Sequence, residues 1–173
     1  MVDRRIMTMR VECVLSGTEL DKLASDLRGN LIATDDPDYN TVRKVWNGLI
    51  DKRPALIARC TDADDVITSV RFAREHDLLV SIRGGGHSAA GRAVCEKGLM
   101  IDLSPMKSVR VDPAQRTARA EAGLTWGEYN RETQAFGLAS TGGVVSTTGA
   151  PSGDVISAAA ASASSGQLRA KSR

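Results

Sequence analysis

The sequence predicts an α+β fold, and three observations carry that prediction. An apolar run from Ala55 to Cys60, a helix signature carrying Val66, Ile67, Val70 and Ala73, and a second apolar run from Leu78 to Ile82 succeed one another as a β-α-β unit. Its two strands are parallel if the connection takes the usual right-handed crossover. Val109 to Val111 and Thr117 to Glu121 then flank Asp112-Pro113-Ala114-Gln115, whose Asp and Pro suit a type I turn, so an antiparallel hairpin follows the parallel unit. The third observation is compositional: 173 residues, 42% hydrophobic and 25% charged, make a globular chain long enough to bury a core without a disulfide or metal staple.

The elements can be justified in order from their caps. Ser16-Gly17-Thr18-Glu19 has capping-box spacing, and Leu20, Leu23, Ala24 and Leu27 recur at helical period before Gly29, which offers a C-cap. Residues 30–53 hold several aspartates and a patch around Val42, Val45, Trp46 and Leu49 without clean period, which reads as an irregular connection with one helical turn. Thr61-x-x-Asp64 is a second capping box, ahead of the β-α-β helix, and Asp64 with Asp65 makes a carboxylate pair suited to a helix N-terminus. Leu99 to Leu103 is a further short strand. Thr125 with Glu128 caps a third helix, from about Trp126 to Phe136, with Leu124 and Tyr129 as its hydrophobic staple and Gly137 as its stop. From Ser157 to Ser165 every residue is Ala or Ser, so 150–173 reads as a low-complexity, disordered tail.

Composition excludes several functions. The 23 Lys+Arg and 21 Asp+Glu leave a charge of +2 spread along the chain, which gives no field for a nucleic acid or an anionic membrane. Six aromatic residues cannot build a base-stacking platform. Three cysteines without a C-x-x-C pair argue against a secreted disulfide framework and a structural zinc site, and no signal-peptide or spanning segment is visible, so a cytoplasmic setting is expected. Cys60 and Cys95 read as inert small core residues, and His76 as an exposed residue at a helix end.

Chemistry concentrates in Arg83-Gly84-Gly85-Gly86-His87-Ser88, directly after the second parallel strand. Three glycines permit positive φ and let consecutive N–H groups converge on one anion, for which a diphosphate is a natural guest. Arg83 adds a charge, Ser88 a hydroxyl donor and Gly91 another point of close approach. The competing reading is a tight strand exit with an exposed histidine. No Gly-Lys-Ser/Thr follows, so this is no Walker loop, and the third glycine of the dinucleotide fingerprint is missing.

The loop belongs to a longer ordered string. Pro54-Ala55-Leu56-Ile57-Ala58-Arg59, Asp64-Asp65-Val66, Val70 to His76, Val80 to Gly91, Ile101-Asp102-Leu103-Ser104, Gly123-Leu124-Thr125-Trp126-Gly127, Phe136-Gly137-Leu138 and Gly142 to Gly149 together resemble the FAD-binding domain of the vanillyl-alcohol-oxidase or PCMH type. Within it, the chain is similar to the bacterial berberine-bridge-enzyme-like oxidoreductases. The resemblance runs from about Tyr39 to Gly149, after an N-terminal helix and connection over 1–38. It implies an N-terminal β-α-β unit followed by a partly antiparallel β/α subdomain, with Arg83, Gly84, Gly85, Gly86, His87, Ser88 and Gly91 around the FAD diphosphate. Val144, Thr147, Thr148 and Gly149 would belong to the facing loop, and His87 would be joined covalently to the flavin. Val145 stands where doubly linked members carry a second attachment cysteine, so one link is expected. The implied function is hydride transfer from a small organic substrate to FAD, with oxygen or another acceptor re-oxidising it; the catalytic base cannot be assigned. The alternatives are a catalytically inactive FAD-binding fragment and a generic nucleotide- or anion-binding module. After Gly149 the family pattern calls for a glycine-rich stretch with an aromatic residue and a basic pair, whereas Ala150-Pro151-Ser152-Gly153-Asp154 and the Ala/Ser run stand here, as a C-terminal truncation by frameshift would produce.

Overall fold

The computed structural model describes residues 1–143, 145–150, 153–157 and 159–160. Its elements are β1 (Arg4–Met7), β2 (Glu12–Leu15), α1 (Gly17–Asp26), β3 (Asn30–Ala33), α2 (Tyr39–Val42), β4 (Leu56–Arg59), α3 (Ala63–Glu75), β5 (Val80–Arg83) and β6 (Leu99–Asp102). There follow β7 (Val109–Asp112), β8 (Thr117–Ala120), α4 (Trp126–Gln134), β9 (Leu138–Ala139), β10 (Gly153–Ser157) and β11 (Ala159–Ala160). They fall into two compact units, 1–106 and 107–173.

The first unit is built on a four-stranded sheet in the order β3-β4-β6-β5. β4 and β5 both run parallel to β6, and β3 closes the far edge antiparallel to β4. The expected β-α-β unit is therefore present, with β6 inserted between its two parallel strands. Side chains alternate across the sheet: Leu56, Ala58, Leu99 and Ile101 enter one core with Leu20 and Leu23 of α1 and Phe72 of α3, while Ile57 and Met100 enter another with Ile32, Tyr39 and Val94. Burial on both faces is why these strands read as continuous apolar runs instead of alternating ones. The second face is closed by residues 39–50, anchored where the Tyr39 hydroxyl donates to the Pro54 carbonyl at 2.7 Å.

The helices start where their caps say. Ser16 and Glu19 form the expected reciprocal box on α1, and Thr125 and Glu128 the one on α4. Three details differ. The N-cap of α3 is Asp62, whose side chain accepts from Asp65 N–H, one residue later than expected, because consecutive carboxylates offer two overlapping capping patterns. Asp65 is consequently buried, and its oxygens accept from the N–H groups of Arg28, Gly29 and Thr61 and from the Thr61 hydroxyl. Burial opposes its charge, but those four donors outweigh burial and lower its pKa. Gly29 is no C-cap: α1 ends at extended Leu27, and glycine is required because a Cβ there would lie 1.9 Å from the Arg59 carbonyl oxygen. His76 is only half-buried instead of exposed, its ring 4.4 Å from that of Phe72.

In the second unit β7 and β8 pair antiparallel as expected, and β10 pairs with the other side of β8. Their apolar face, with Val109, Val111, Ala118 and Ala120, packs with Leu124, Trp126 and Tyr129. The two staple positions, Leu124 and Tyr129, are fully buried, and α4 gives way to Gly137 at φ +66°. The structureless tail expected over 150–173 is corrected at Gly153–Ser157 and Ala159–Ala160, which pair with β8 and β9 through main-chain bonds that need no side-chain pattern to be legible. Residues 151–152, 158 and 161–173 of that segment lie outside the described residues.

Candidate flavin-binding site

The glycine run leaves the C-terminal end of β5, the end of a parallel strand at which open α/β sheets characteristically hold ligands. Three strand ends meet here, since Arg59 of β4 and Arg83 of β5 both stand in register with Asp102 of β6. Asp102 is wholly buried, with Arg59 Nε at 3.4 Å and Arg83 Nε at 3.8 Å, and it accepts from the Ser104 N–H and hydroxyl at 3.1 and 3.0 Å. Arg83 Nη1 also donates to the Val42 carbonyl. These contacts fix the side chain of Arg83, the loop's first residue, while its charge stays beside the loop as expected.

Of the three consecutive glycines only Gly86 has positive φ, at +69°; Gly91 has +65°. Among the described residues, the N–H groups of Gly85 to Ala90 donate to no main-chain acceptor outside the strand ladder, so a run of donors is available to an anion. Gly91 N–H turns back onto the Ser88 carbonyl at 2.9 Å, and Ser88 Oγ accepts from Arg92 N–H at 3.2 Å, leaving the hydroxyl hydrogen free to donate outward. His87 Nδ1 lies 2.8 Å from the Gly85 carbonyl. A carbonyl only accepts, so in the neutral ring Nδ1 carries the proton and Nε2 keeps its lone pair. Open donors, a left-handed glycine and a nucleophilic imidazole nitrogen fit a diphosphate-bearing cofactor with an attachment point.

One wall of this site was not legible as such. Residues 42–52, read as an irregular connection, clasp the loop along its length. Trp46 N–H donates to the Gly86 carbonyl at 3.1 Å, Asn47 Nδ2 to Ala89 at 2.9 Å and Lys52 Nζ to Gly91 at 3.2 Å. The Trp46 ring stacks on His87 at 5.6 Å between centroids and 21° between planes, yet remains 67% exposed. The available signal was a tryptophan with no helical or strand period to explain it, in a chain holding two.

The second unit contains the other expected segment. Thr148 and Ser146 carbonyls accept from the first N–H groups of α4, at Trp126 and Gly127, at 2.9 and 2.8 Å, so this helix start is satisfied from within its own unit. Thr148 Oγ1 donates to the Val145 carbonyl at 2.7 Å, Thr147 is exposed, and Gly149 bridges to Thr125. Val144 lies outside the described residues. Elsewhere, Cys60 and Cys95 are buried as expected; burial pushes the Cys60 thiol up to about 11 and raises that of Cys95. No cluster of metal-ligating side chains occurs among the described residues.

Comparison with known proteins gives the family and its cofactor. The chain belongs to the FAD-binding domain family, whose model matches residues 54–171. That extent starts later than Tyr39 and runs past Gly149, where the sequence-based resemblance stopped. FAD is the cofactor of this family. The (R)-6-hydroxynicotine oxidase of Paenarthrobacter nicotinovorans is 39% identical over 125 residues, covering 71% of this chain and 27% of that protein. The FAD-linked oxidoreductase YgaK of Bacillus subtilis is 35% identical over 123 residues, with the same two coverages. Among solved structures, 6-hydroxy-D-nicotine oxidase from Arthrobacter nicotinovorans superposes with a TM-score of 0.69 at 37% identity, over 71% of this chain and 27% of that one. The berberine-bridge-enzyme-like protein 1 of Physcomitrella patens shares the fold, with a TM-score of 0.69 at 22% identity over 75% and 29% of the two chains. The chain thus spans little more than a quarter of the length of these relatives.

Proposed function

We propose that this chain is the FAD-holding part of a flavin-dependent oxidoreductase, with the diphosphate on the loop from Arg83 to Gly91 and the flavin joined to His87. The observation that carries the reading is the open run of N–H groups at the end of β5 beside an imidazole whose Nε2 is left unprotonated. Bound FAD supplies the acceptor for a hydride taken from a small organic substrate. The chain's own residues bind and orient: Gly84, Gly85 and Gly86 present main-chain donors, Ser88 a hydroxyl, and Gly91 a second left-handed bend where a side chain would collide with Ile50. Val144, Thr147, Thr148 and Gly149 are further cofactor-binding candidates in this reading. In this reading residues 1–173 hold and orient the cofactor. Three free thiols suit a reducing, cytoplasmic setting, and no helix among the described residues is long and apolar enough to cross a membrane.

The test is the absorbance spectrum of the purified chain after addition of FAD and gel filtration. Flavin should co-elute with the chain and stay with it through acid precipitation, and His87→Ala should make it extractable. A chain that elutes colourless contradicts the binding reading, and acid-stable flavin in the His87→Ala variant contradicts the attachment.

A further inference from the structure

We propose that Trp46 is a positioning residue for His87, fixing the plane of its imidazole and so deciding which ring nitrogen is presented to the cofactor. The inference rests on the flavin reading only for its consequence, not for its geometry. His87 has two restraints. One is the Nδ1 contact to the Gly85 carbonyl at 2.8 Å; the other is the Trp46 indole, stacked at 5.6 Å and 21°. A single hydrogen bond fixes one direction and leaves the ring free to turn about it, whereas an offset stack fixes a plane. Together they leave one orientation.

The indole is itself held in place. Its main-chain N–H donates to the Gly86 carbonyl, the next residue donates through Asn47 Nδ2 to Ala89, and Val42 on the other side accepts from Arg83. Trp46 is therefore tied to the same loop that carries its partner, and ring and loop keep register if the strand end shifts. Its burial does not explain it: a tryptophan kept for packing would be covered, and this one is 67% exposed. Val45 and Ile50 pack the segment onto the sheet, whereas Gly48 and Leu49 beside the indole are exposed as it is, so that packing does not reach the Trp46 ring. What the exposed indole does touch is the ring that the flavin reading makes the nucleophile.

The consequence is a tautomer. With the plane fixed, the proton stays on Nδ1, donated to the Gly85 carbonyl, and Nε2 keeps its lone pair. Without the indole the ring samples other rotamers, the hydrogen bond opens, and the proton returns in part to Nε2, the nitrogen that carries it in a free neutral side chain. A nucleophile masked for part of the time and misaimed for the rest reacts more slowly, by about tenfold or more given how steeply rate depends on placement.

Nitrogen-15 correlation spectra of His87 in the chain without added FAD, at a pH where the ring is neutral, read the tautomer directly. Wild type should show one tautomer protonated at Nδ1; Trp46→Ala should shift toward the Nε2-protonated form, and Trp46→Phe, which keeps a stacking ring, should resemble wild type. An unchanged His87 spectrum in Trp46→Ala, with the amide spectrum of the sheet intact, overturns the proposal. A second measurement follows acid-stable flavin over time after FAD is added. Trp46→Ala should slow its formation while Trp46→Phe restores it. If wild type forms no acid-stable flavin but the tautomer shifts as stated, the attachment reading fails and the positioning by Trp46 stands. If attachment proceeds at the wild-type rate in Trp46→Ala, the positioning has no bearing on the cofactor and the proposal falls.

Discussion

At φ +69° Gly86 holds a conformation that costs an ordinary L-residue about 1–2 kcal/mol, and a Cβ placed there would make only ordinary contacts, with Arg83 Nε at 3.4 Å nearest and Val45 Cα and Arg83 Cγ at 3.9 and 4.0 Å. The penalty at this position is therefore one of backbone, not of space. Gly86→Ala should lower the stability of the chain in denaturant by about 1 kcal/mol if the loop keeps its shape. If instead the loop relaxes, the run of N–H donors loses convergence and FAD affinity should fall about tenfold, the equivalent of the same 1–2 kcal/mol. Either way the variant differs from Gly85→Ala, whose position has no positive φ. Titration of FAD alongside urea unfolding of both variants separates the two outcomes, and a Gly86→Ala chain equal to wild type in both would mean the loop tolerates a side chain where the structure needs glycine. Arg83, through its contacts to Val42 and Asp102, also tethers the loop.

Helix α4 shows how an element's start can hold a pH dependence. Burial opposes the charge of Glu128, yet Lys107 Nζ at 2.6 and 2.9 Å, with the Thr125 N–H and hydroxyl at 2.8 and 2.9 Å, outweighs it and brings the carboxyl down to about 2. Because the folded value lies below the ordinary 4.5, this group stabilises the folded state fully above about 4.5, and that contribution is lost as the pH falls toward about 2. Glu128→Gln should be less stable than wild type at neutral pH and should lose less stability across that acid window. Near-ultraviolet circular dichroism at stepped pH checks it, and parallel acid curves for the two chains would show that the carboxylate is not responsible. The same local logic explains what the sequence disclosed. Caps are written within four residues, so α1, α3 and α4 were legible, the α3 cap being expected one residue early, at Thr61 instead of Asp62. β1, β2 and β3 were not, because each is four residues long and β1 and β2 expose alternate positions such as Arg5, Glu12 and Val14, leaving little apolar signal. The insertion of β6 between β4 and β5 was equally hidden, since strand order is a property of pairing and not of any one segment. In the site, the glycine loop announced itself by composition, while its wall of 42–52 reaches the loop through the Trp46 N–H, the Val42 carbonyl and the scattered side chains of Trp46, Asn47 and Lys52, which form no motif.

At the scale of the whole molecule, each unit has its own hydrophobic core, and the residues of the flavin reading divide between them: Arg83 to Gly91 with the 42–52 wall in one, Val145 to Gly149 on the start of α4 in the other. The membership of the FAD-binding family and the TM-score of 0.69 against 6-hydroxy-D-nicotine oxidase establish the fold and the cofactor. The chain covers little more than a quarter of the length of these relatives.

The attachment of flavin at His87 has a direct readout in the sequence itself. Arg83 and Arg92 bracket the loop, so tryptic digestion releases residues 84–92 as a single peptide containing His87 and no cysteine. After incubation of the chain with FAD, removal of free cofactor and digestion, mass spectrometry of that peptide should show a flavin adduct that fragments to histidine and is absent from the His87→Ala chain. Recovery of 84–92 without an adduct, or of flavin on any other peptide, would contradict the account.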